Sequence, residues 1–176
     1  MILGICGSPR EGNTEFMMKT ILDSAKGETE LILLKEKNFS HCKACDYCKT
    51  HDECIIKDDV KGILDKMAEA DIIVLGSPVY CANVSGLMKN LMDRMRPLFP
   101  ELKLKDKKSA GVIVGGAPVD SDSVQRTAEI MKIFCTGNYR QMEFLGNFIA
   151  SSRDPKDVAK QEDTIQKMKE FGEKLE

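Results

Sequence analysis

The 176-residue chain lacks a charge excess, a long apolar run and any internal repeat, and each absence removes a class of function. Lys and Arg number 26 against 28 Asp and Glu, a net charge of −2. That balance gives no electrostatic basis for broad binding to nucleic acid or to an anionic membrane. No apolar run approaches the ~18 residues of a membrane span, and the run Ile2–Cys6 near the start, with no basic residue before it, is too short for a signal peptide. Cysteines number seven, and without a secretory signal they point to a reducing cytoplasm, where thiols are free or metal-bound. No low-complexity tract or composition shift marks a boundary. With 42% hydrophobic and 31% charged residues the expectation is one soluble domain, residues 1–176, with a full core.

Four of the seven cysteines crowd into one short stretch, Cys42, Cys45, Cys48 and Cys54, in the run H-C-K-A-C-D-Y-C-K-T-H-D-E-C. The spacing C-x2-C-x2-C-x5-C brings thiolates together only if the backbone wraps something compact. Iron–sulfur clusters are held by four cysteine thiolates, and a C-x2-C-x2-C run is one way to supply them. Here the fourth cysteine is local too, so one loop can hold a single [4Fe–4S] cluster. Structural zinc prefers two cysteine pairs set further apart, although His41 and His51 flank the run. Empty thiols are the remaining alternative. Cys6 and Cys135 fall at apolar positions and read as core thiols.

Apolar runs bounded by turn residues predict strands over Ile2–Cys6, Glu30–Leu34, Asp71–Leu75, Ala110–Val114 and Met142–Ile149. Helical periodicity lies between them. Val60, Ile63, Leu64, Met67 and Ala68 share one helix face, with Asp58 or Asp59 as cap. Val84, Leu87, Met88, Leu91, Met92 and Met95 share another, ended by Pro97. Thr14–Ala25 and Ser123–Thr136 read as helices, and a last one is predicted to start with Asp154 as cap and Pro155 in its first turn. The methionines sit mostly at core spacing within helices, with some on the Val84–Met95 helix as candidates for a face against a partner subunit. Five strand–helix repeats argue for a three-layer α/β fold on a parallel sheet. The cysteine stretch, about residues 38–57, follows strand 2 and exceeds ordinary connection lengths, as functional loops do.

Ligands of open α/β sheets sit outside the carboxyl ends of the strands. The loop after strand 1, G-S-P-R-E-G-N-T, has neither the G-x-G-x-x-G of dinucleotide folds nor the G-K-[ST] of a P-loop. It offers Ser8, Arg10, Asn13, Thr14 and a helix start, which are donors for a terminal phosphate. The loop after strand 3, G-S-P-V-Y-C-A-N-V-S-G, is stiffened by Pro78 and offers backbone groups to a flat heterocycle. The loop after strand 4, G-G-A-P-V-D-S-D-S, has glycines that permit close approach.

Taken together, G-S-P-R-x-G-N-T-E, C-x2-C-x2-C-x5-C-x3-D-D and S-P-V-Y-x-x-N-V-S-G-x-M-K-N-x-x-D-R resemble the iron–sulfur flavoprotein family, within the flavodoxin-like NAD(P)H-dependent FMN reductase superfamily. The likeness runs from Met1 to about Gly116. It implies a flavodoxin-like three-layer sandwich with strand order 2-1-3-4-5. FMN would lie at the sheet edge and a [4Fe–4S] cluster on Cys42, Cys45, Cys48 and Cys54. Ser8, Arg10, Asn13 and Thr14 would hold the FMN phosphate; Pro78, Val79, Tyr80 and Asn83 would line the isoalloxazine, with Gly115 and Gly116 on the far side. Relatives often carry an aromatic residue after P-V-Y, where this chain has Cys81, a thiol beside a more open flavin edge.

No residue reads as a convincing general acid or nucleophile, so the chemistry belongs to the cofactors. The expectation is an electron-transfer oxidoreductase that links a one-electron donor, ferredoxin by resemblance, to an acceptor. A plain NAD(P)H-dependent FMN or quinone reductase with unused thiols is the alternative, and a zinc-stapled FMN-binding module is a third reading. Resemblance also implies a homodimer or homotetramer with the cysteine loop near a subunit interface.

Overall fold

The computed structural model describes residues 1–176. Five parallel strands form one sheet in the order β2-β1-β3-β4-β5, as predicted. They are β1 (Ile2–Cys6), β2 (Thr29–Leu33), β3 (Ile72–Pro78), β4 (Lys108–Gly115) and β5 (Glu143–Ser151). Helices α1 (Asn13–Asp23) and α5 (Glu162–Glu173) cover one face. On the other lie α2 (Val60–Glu69), α3 (Gly86–Arg94) and α4 (Asp122–Thr136).

Alternation along the strands decides which face each side chain serves. Leu3, Ile5, Ile73, Leu75 and Ile113 join Met67, Met88, Leu91 and Met131 in one buried cluster. Ile2, Cys6, Ile72, Val74, Val112 and Val114 join Met17, Met18, Ile21 and Met168 in the other. The central strands are buried on both sides, which is why they read as continuous apolar runs. Met88, Met92 and Met95 lie inside the first cluster, so these methionines serve the chain's own core and not a partner-facing surface. Cys6 and Cys135 are buried as expected, and burial pushes both thiols up to about 11.

The start of the last helix differs from its prediction. Residues 154–157 form a turn, Val158–Lys160 a 3-10 turn, and α5 begins at Glu162. The Asn13 side chain explains the difference. Its Nδ2 donates to the Asp154 carbonyl at 2.6 Å and to Ser152 Oγ at 3.0 Å, and its Oδ1 accepts from the Val158 N–H at 3.2 Å. These bonds occupy the backbone that an Asp154-capped helix would have used. A contact some 140 residues distant in sequence overrides the local cap signal.

Gly7, just after β1, lies at a close approach between the sheet and α3. A Cβ there would lie 2.7 Å from Met88 Cβ and 3.1 Å from Ser85 Oγ. Gly7→Ala must push α3 away from the sheet, at a cost of about 1–3 kcal/mol for overpacking. Thermal unfolding should show a fall of roughly 3–10 °C in Tm; an unchanged Tm would mean that α3 shifts freely.

A carboxyl-edge cleft and a clasped cysteine loop

The loops after β1, β3, β4 and β5 enclose a cleft of about 120 Å³ at the carboxyl edge of the sheet. Ser8, Arg10, Asn13 and Thr14 line one side, Pro78, Val79 and Tyr80 the middle, and Gly115 and Gly116 the far wall. The connection from β3 to α3 is fixed by small side chains. Ser77 Oγ donates to the Pro78 carbonyl and accepts the Ser85 N–H, both at 2.8 Å. Ser85 Oγ donates to the Gly7 carbonyl at 2.5 Å and caps α3 by accepting the Met88 N–H at 3.1 Å. The Val79 N–H donates to the Val114 carbonyl at 2.9 Å, joining two walls of the cleft.

The anion end of the cleft is the start of α1. Its cap residue, Gly12, supplies no side chain, and the N–H groups of Asn13, Thr14 and Glu15 have no acceptor within the protein. Such free donors at a helix start, with the dipole behind them, suit a phosphate. Ser8 Oγ closes the loop by donating to the Arg10 carbonyl at 2.7 Å. Arg10 is exposed and pairs with no carboxylate. Glu15 is buried in the same turn, but Lys19 and Lys35 each reach it at 2.7 Å. Burial raises the Glu15 carboxyl, and hydrogen bonds from these two lysines more than offset that, leaving it below its ordinary value. Its charge is therefore balanced and does not repel an anion. Asn13 lines the cleft, yet its side chain is consumed by the bonds to Ser152, Asp154 and Val158, so its free donor is the backbone N–H.

Ser152 and Arg153, after β5, also line the cleft and were not predicted. Arg153 Nε donates to the Gly116 carbonyl at 3.1 Å. Their signal was available in the rule that every loop at the carboxyl edge is a candidate. Cys81 and Asn83 do not line it. They belong to a tight turn in which Tyr80 and Asn83 exchange backbone bonds of 2.9 and 3.1 Å. The two residues at its tip, Cys81 and Ala82, have φ of 50° and 58°, left-handed values uncommon outside glycine. Strain of this kind persists where a site requires the shape. Ala82→Gly should relieve about 1 kcal/mol and raise Tm by roughly 2–4 °C. A lowered Tm would mean that the turn is not strained.

The cysteine segment stands apart, and none of its residues lines the cleft. Cys42 and Cys45 are exposed, Cys48 and Cys54 half-buried. No three His, Cys, Asp or Glu side chains converge as a ready metal-binding group. The donor set nevertheless fits a thiolate-ligated centre. The Ala44 N–H donates to Cys42 Sγ at 3.4 Å, and Ala44 and Asp46, on either side of Cys45, hold left-handed φ of 51° and 58°. Burial pushes the Cys48 thiol up, Arg96 opposes this, and Cys54 and Cys42 lie close enough to add to it. His51 stacks on Tyr47 with ring centroids 3.7 Å apart. A groove of about 760 Å³, lined by Cys48, Arg96, Phe99 and Tyr139 among others, opens beside the segment.

The neck of the segment is fastened by Asp58, Asp59 and Arg94. Asp58 Oδ2 accepts the Ser40 N–H at 3.1 Å and Asp59 Oδ2 the Asn38 N–H at 2.7 Å. Arg94, 2% exposed, pairs bidentately with Asp58 at 2.8 and 2.9 Å and donates to the Ser40 carbonyl at 2.7 Å. These residues lie within the C-x3-D-D and N-x-x-D-R stretches of the sequence, where helix capping by Asp58 or Asp59 is the only role that local sequence suggests. Asp58 does accept the Val60 N–H at the start of α2, at 3.2 Å, while its main partner is Arg94.

Comparison with known proteins shows the family and the fold. The NADPH-dependent FMN reductase family matches residues 1–139. An iron–sulfur flavoprotein of Methanocaldococcus jannaschii is 46% identical over 120 residues, covering 66% of this chain and 62% of that protein. An iron–sulfur flavoprotein of Methanosarcina thermophila is 39% identical over 121 residues, covering 66% and 63%. The match thus spans under two thirds of these relatives. Among solved structures, an NAD(P)H:quinone oxidoreductase from Methanothermobacter marburgensis superposes with a TM-score of 0.77 at 15% identity, covering 99% and 95% of the two chains. An FMN-dependent NADH-azoreductase from Bacillus anthracis, solved with FMN, gives 0.69 at 16%, covering 97% of each. These two share the fold.

Proposed function

The chain belongs to the NADPH-dependent FMN reductase family, and from that membership we propose that it is an FMN-dependent iron–sulfur flavoprotein that relays electrons from a one-electron carrier such as ferredoxin. The observation that carries the reading is the coexistence of two separate donor sets in one chain. One is an anion-receiving cleft with free helix-start N–H groups; the other is a four-cysteine segment with a fastened neck. When bound, FMN would supply one- and two-electron chemistry and a [4Fe–4S] cluster single-electron chemistry.

The protein's own groups bind and orient. Arg10 and the N–H groups of Asn13, Thr14 and Glu15 receive the phosphate, with the Ser8 and Thr14 hydroxyls beside them. Pro78, Val79 and Tyr80 hold the ring edge by backbone and side-chain contact, and Gly115 and Gly116 admit its approach. Cys42, Cys45, Cys48 and Cys54 supply the four thiolates. The segment shares no lining residue with the cleft, which favours a homo-oligomer in which one chain's cysteine segment lies near its neighbour's cofactor.

Anaerobic isolation followed by an absorption spectrum and iron, zinc and sulfide analysis tests the reading. Iron and sulfide on the order of four each per chain, with FMN, is the expected result. Zinc in place of iron, or FMN with no metal, would overturn it in favour of a zinc-stapled module or a plain FMN reductase.

A further inference from the structure

Arg94 is more deeply buried than an arginine of a surface loop neck needs to be, and its bonds are incompletely made. Nη1 donates to the Ser40 carbonyl and to Asp58, and Nη2 to Asp58 and, at 3.4 Å, to the Ile56 carbonyl. Ser40 lies two residues before Cys42, and Ile56 two residues after Cys54. One guanidinium therefore closes the loop that holds all four cysteines. Its Nε–H is buried and has no acceptor. An unmade hydrogen bond on a buried cation is costly, and in a native fold it calls for an explanation. Asp58 and then Cys54 are the side chains that act most on this guanidinium, and its contact with the Ile56 carbonyl sets it two residues from Cys54 in the chain. Asp58 is already taken up by the two Nη groups.

We propose that Arg94 is the positioning residue of the cysteine segment: it fastens the two ends of the loop to each other, and its remaining Nε–H is the donor to the Cys54 sulfur once the thiolates are metal-bound. The first half stands on the hydrogen bonds alone. The second rests on the proposed cluster. A thiolate accepts a hydrogen bond more strongly than a thiol, so the orphan donor acquires its partner when Cys54 is a ligand. Hydrogen bonds to cluster sulfurs favour the more negative, reduced state and so raise the reduction potential. Lysine at this position keeps a charge but loses the planar fork and the Nε–H.

Two variants and two readouts separate the halves. In metal-free protein, amide hydrogen exchange over residues 41–57 should be at least tenfold faster in Arg94→Lys and in Asp58→Asn than in the parent. FMN binding reports that the rest of each variant is folded. After iron and sulfide reconstitution, the midpoint potential of the cluster in Arg94→Lys should fall by a tenfold change in the reduced-to-oxidised ratio, about 59 mV for one electron. Asp58→Asn, which keeps the Nε–H, should move it less. Exchange as slow as in the parent overturns the fastening role. A potential equal to the parent's in Arg94→Lys overturns the sulfur contact while leaving the proposed function intact. A parent protein that takes up no iron overturns the sulfur contact together with the proposed function, and the exchange rates still decide the fastening.

Discussion

Alanine in place of Cys48 will remove iron and sulfide from the isolated protein and leave its FMN bound. Cys48 is the third of the four proposed ligands: half-buried, beside Arg96, and near enough to Cys42 and Cys54 for their thiols to act on its own. A [4Fe–4S] cluster with three thiolates has an iron open to solvent and to loss. FMN should remain because the cleft takes none of its lining from the cysteine segment. The neck should remain closed as well. Asp58, Asp59 and Arg94 hold Asn38 and Ser40 without any metal, so loss of order is confined to about residues 41–56. With a reduced one-electron carrier as donor, flavin reduction measured by absorbance should slow at least tenfold. Reduction as fast as in the parent would show that electrons do not pass through the cysteine segment. Retention of the full iron content would remove Cys48 from the ligand set.

The sheet was legible because its information is local. β1, β3 and β4 are buried on both faces, so Ile2–Cys6, Ile72–Pro78 and Lys108–Gly115 carry apolar runs that announce parallel strands without reference to the rest of the chain. The carboxyl-edge loops follow from the same alternation, which is why Ser8, Arg10, Thr14, Pro78 and Gly115 meet in one cleft as their places in the chain suggested. What escaped the sequence depends on pairs far apart in it. Asn13 looks like a phosphate donor or a cap, but Ser152, Asp154 and Val158 claim its side chain, and that displaces the start of α5 to Glu162. Arg94 looks like the basic end of an amphipathic helix. Its burial comes from a loop neck 36 to 54 residues earlier, at Asp58 and Ser40. The methionines of α3 were ambiguous for another reason: an apolar helix face can cover its own sheet or a partner's surface, and only packing shows that Met88, Met92 and Met95 cover their own.

Arg10→Ala should weaken FMN binding by roughly 10- to 100-fold, as expected for losing a hydrogen bond to a charged group worth about 1.5–3 kcal/mol. Arg10 is exposed and makes no ion pair, so no internal partner competes for it and none is orphaned by its removal. Thr14→Ala should cost less, about fivefold, the scale of a neutral hydrogen bond of about 1 kcal/mol. Ser8→Ala should also cost a few-fold, through the loop, because its hydroxyl ties the Arg10 carbonyl and not only the ligand. Asn13→Ala should act differently. Its three bonds brace the segment before α5, so the loss should be in thermal stability before affinity. Riboflavin, which lacks the phosphate, is the control. Titrating the apoprotein with FMN and with riboflavin by fluorescence quenching should show the Arg10→Ala penalty for FMN alone, shrinking as salt is raised. If both ligands lost affinity equally, Arg10 would be shaping the cleft and not reaching the phosphate. If neither did, Arg153, the other cation on the cleft wall, would be the side chain that receives it.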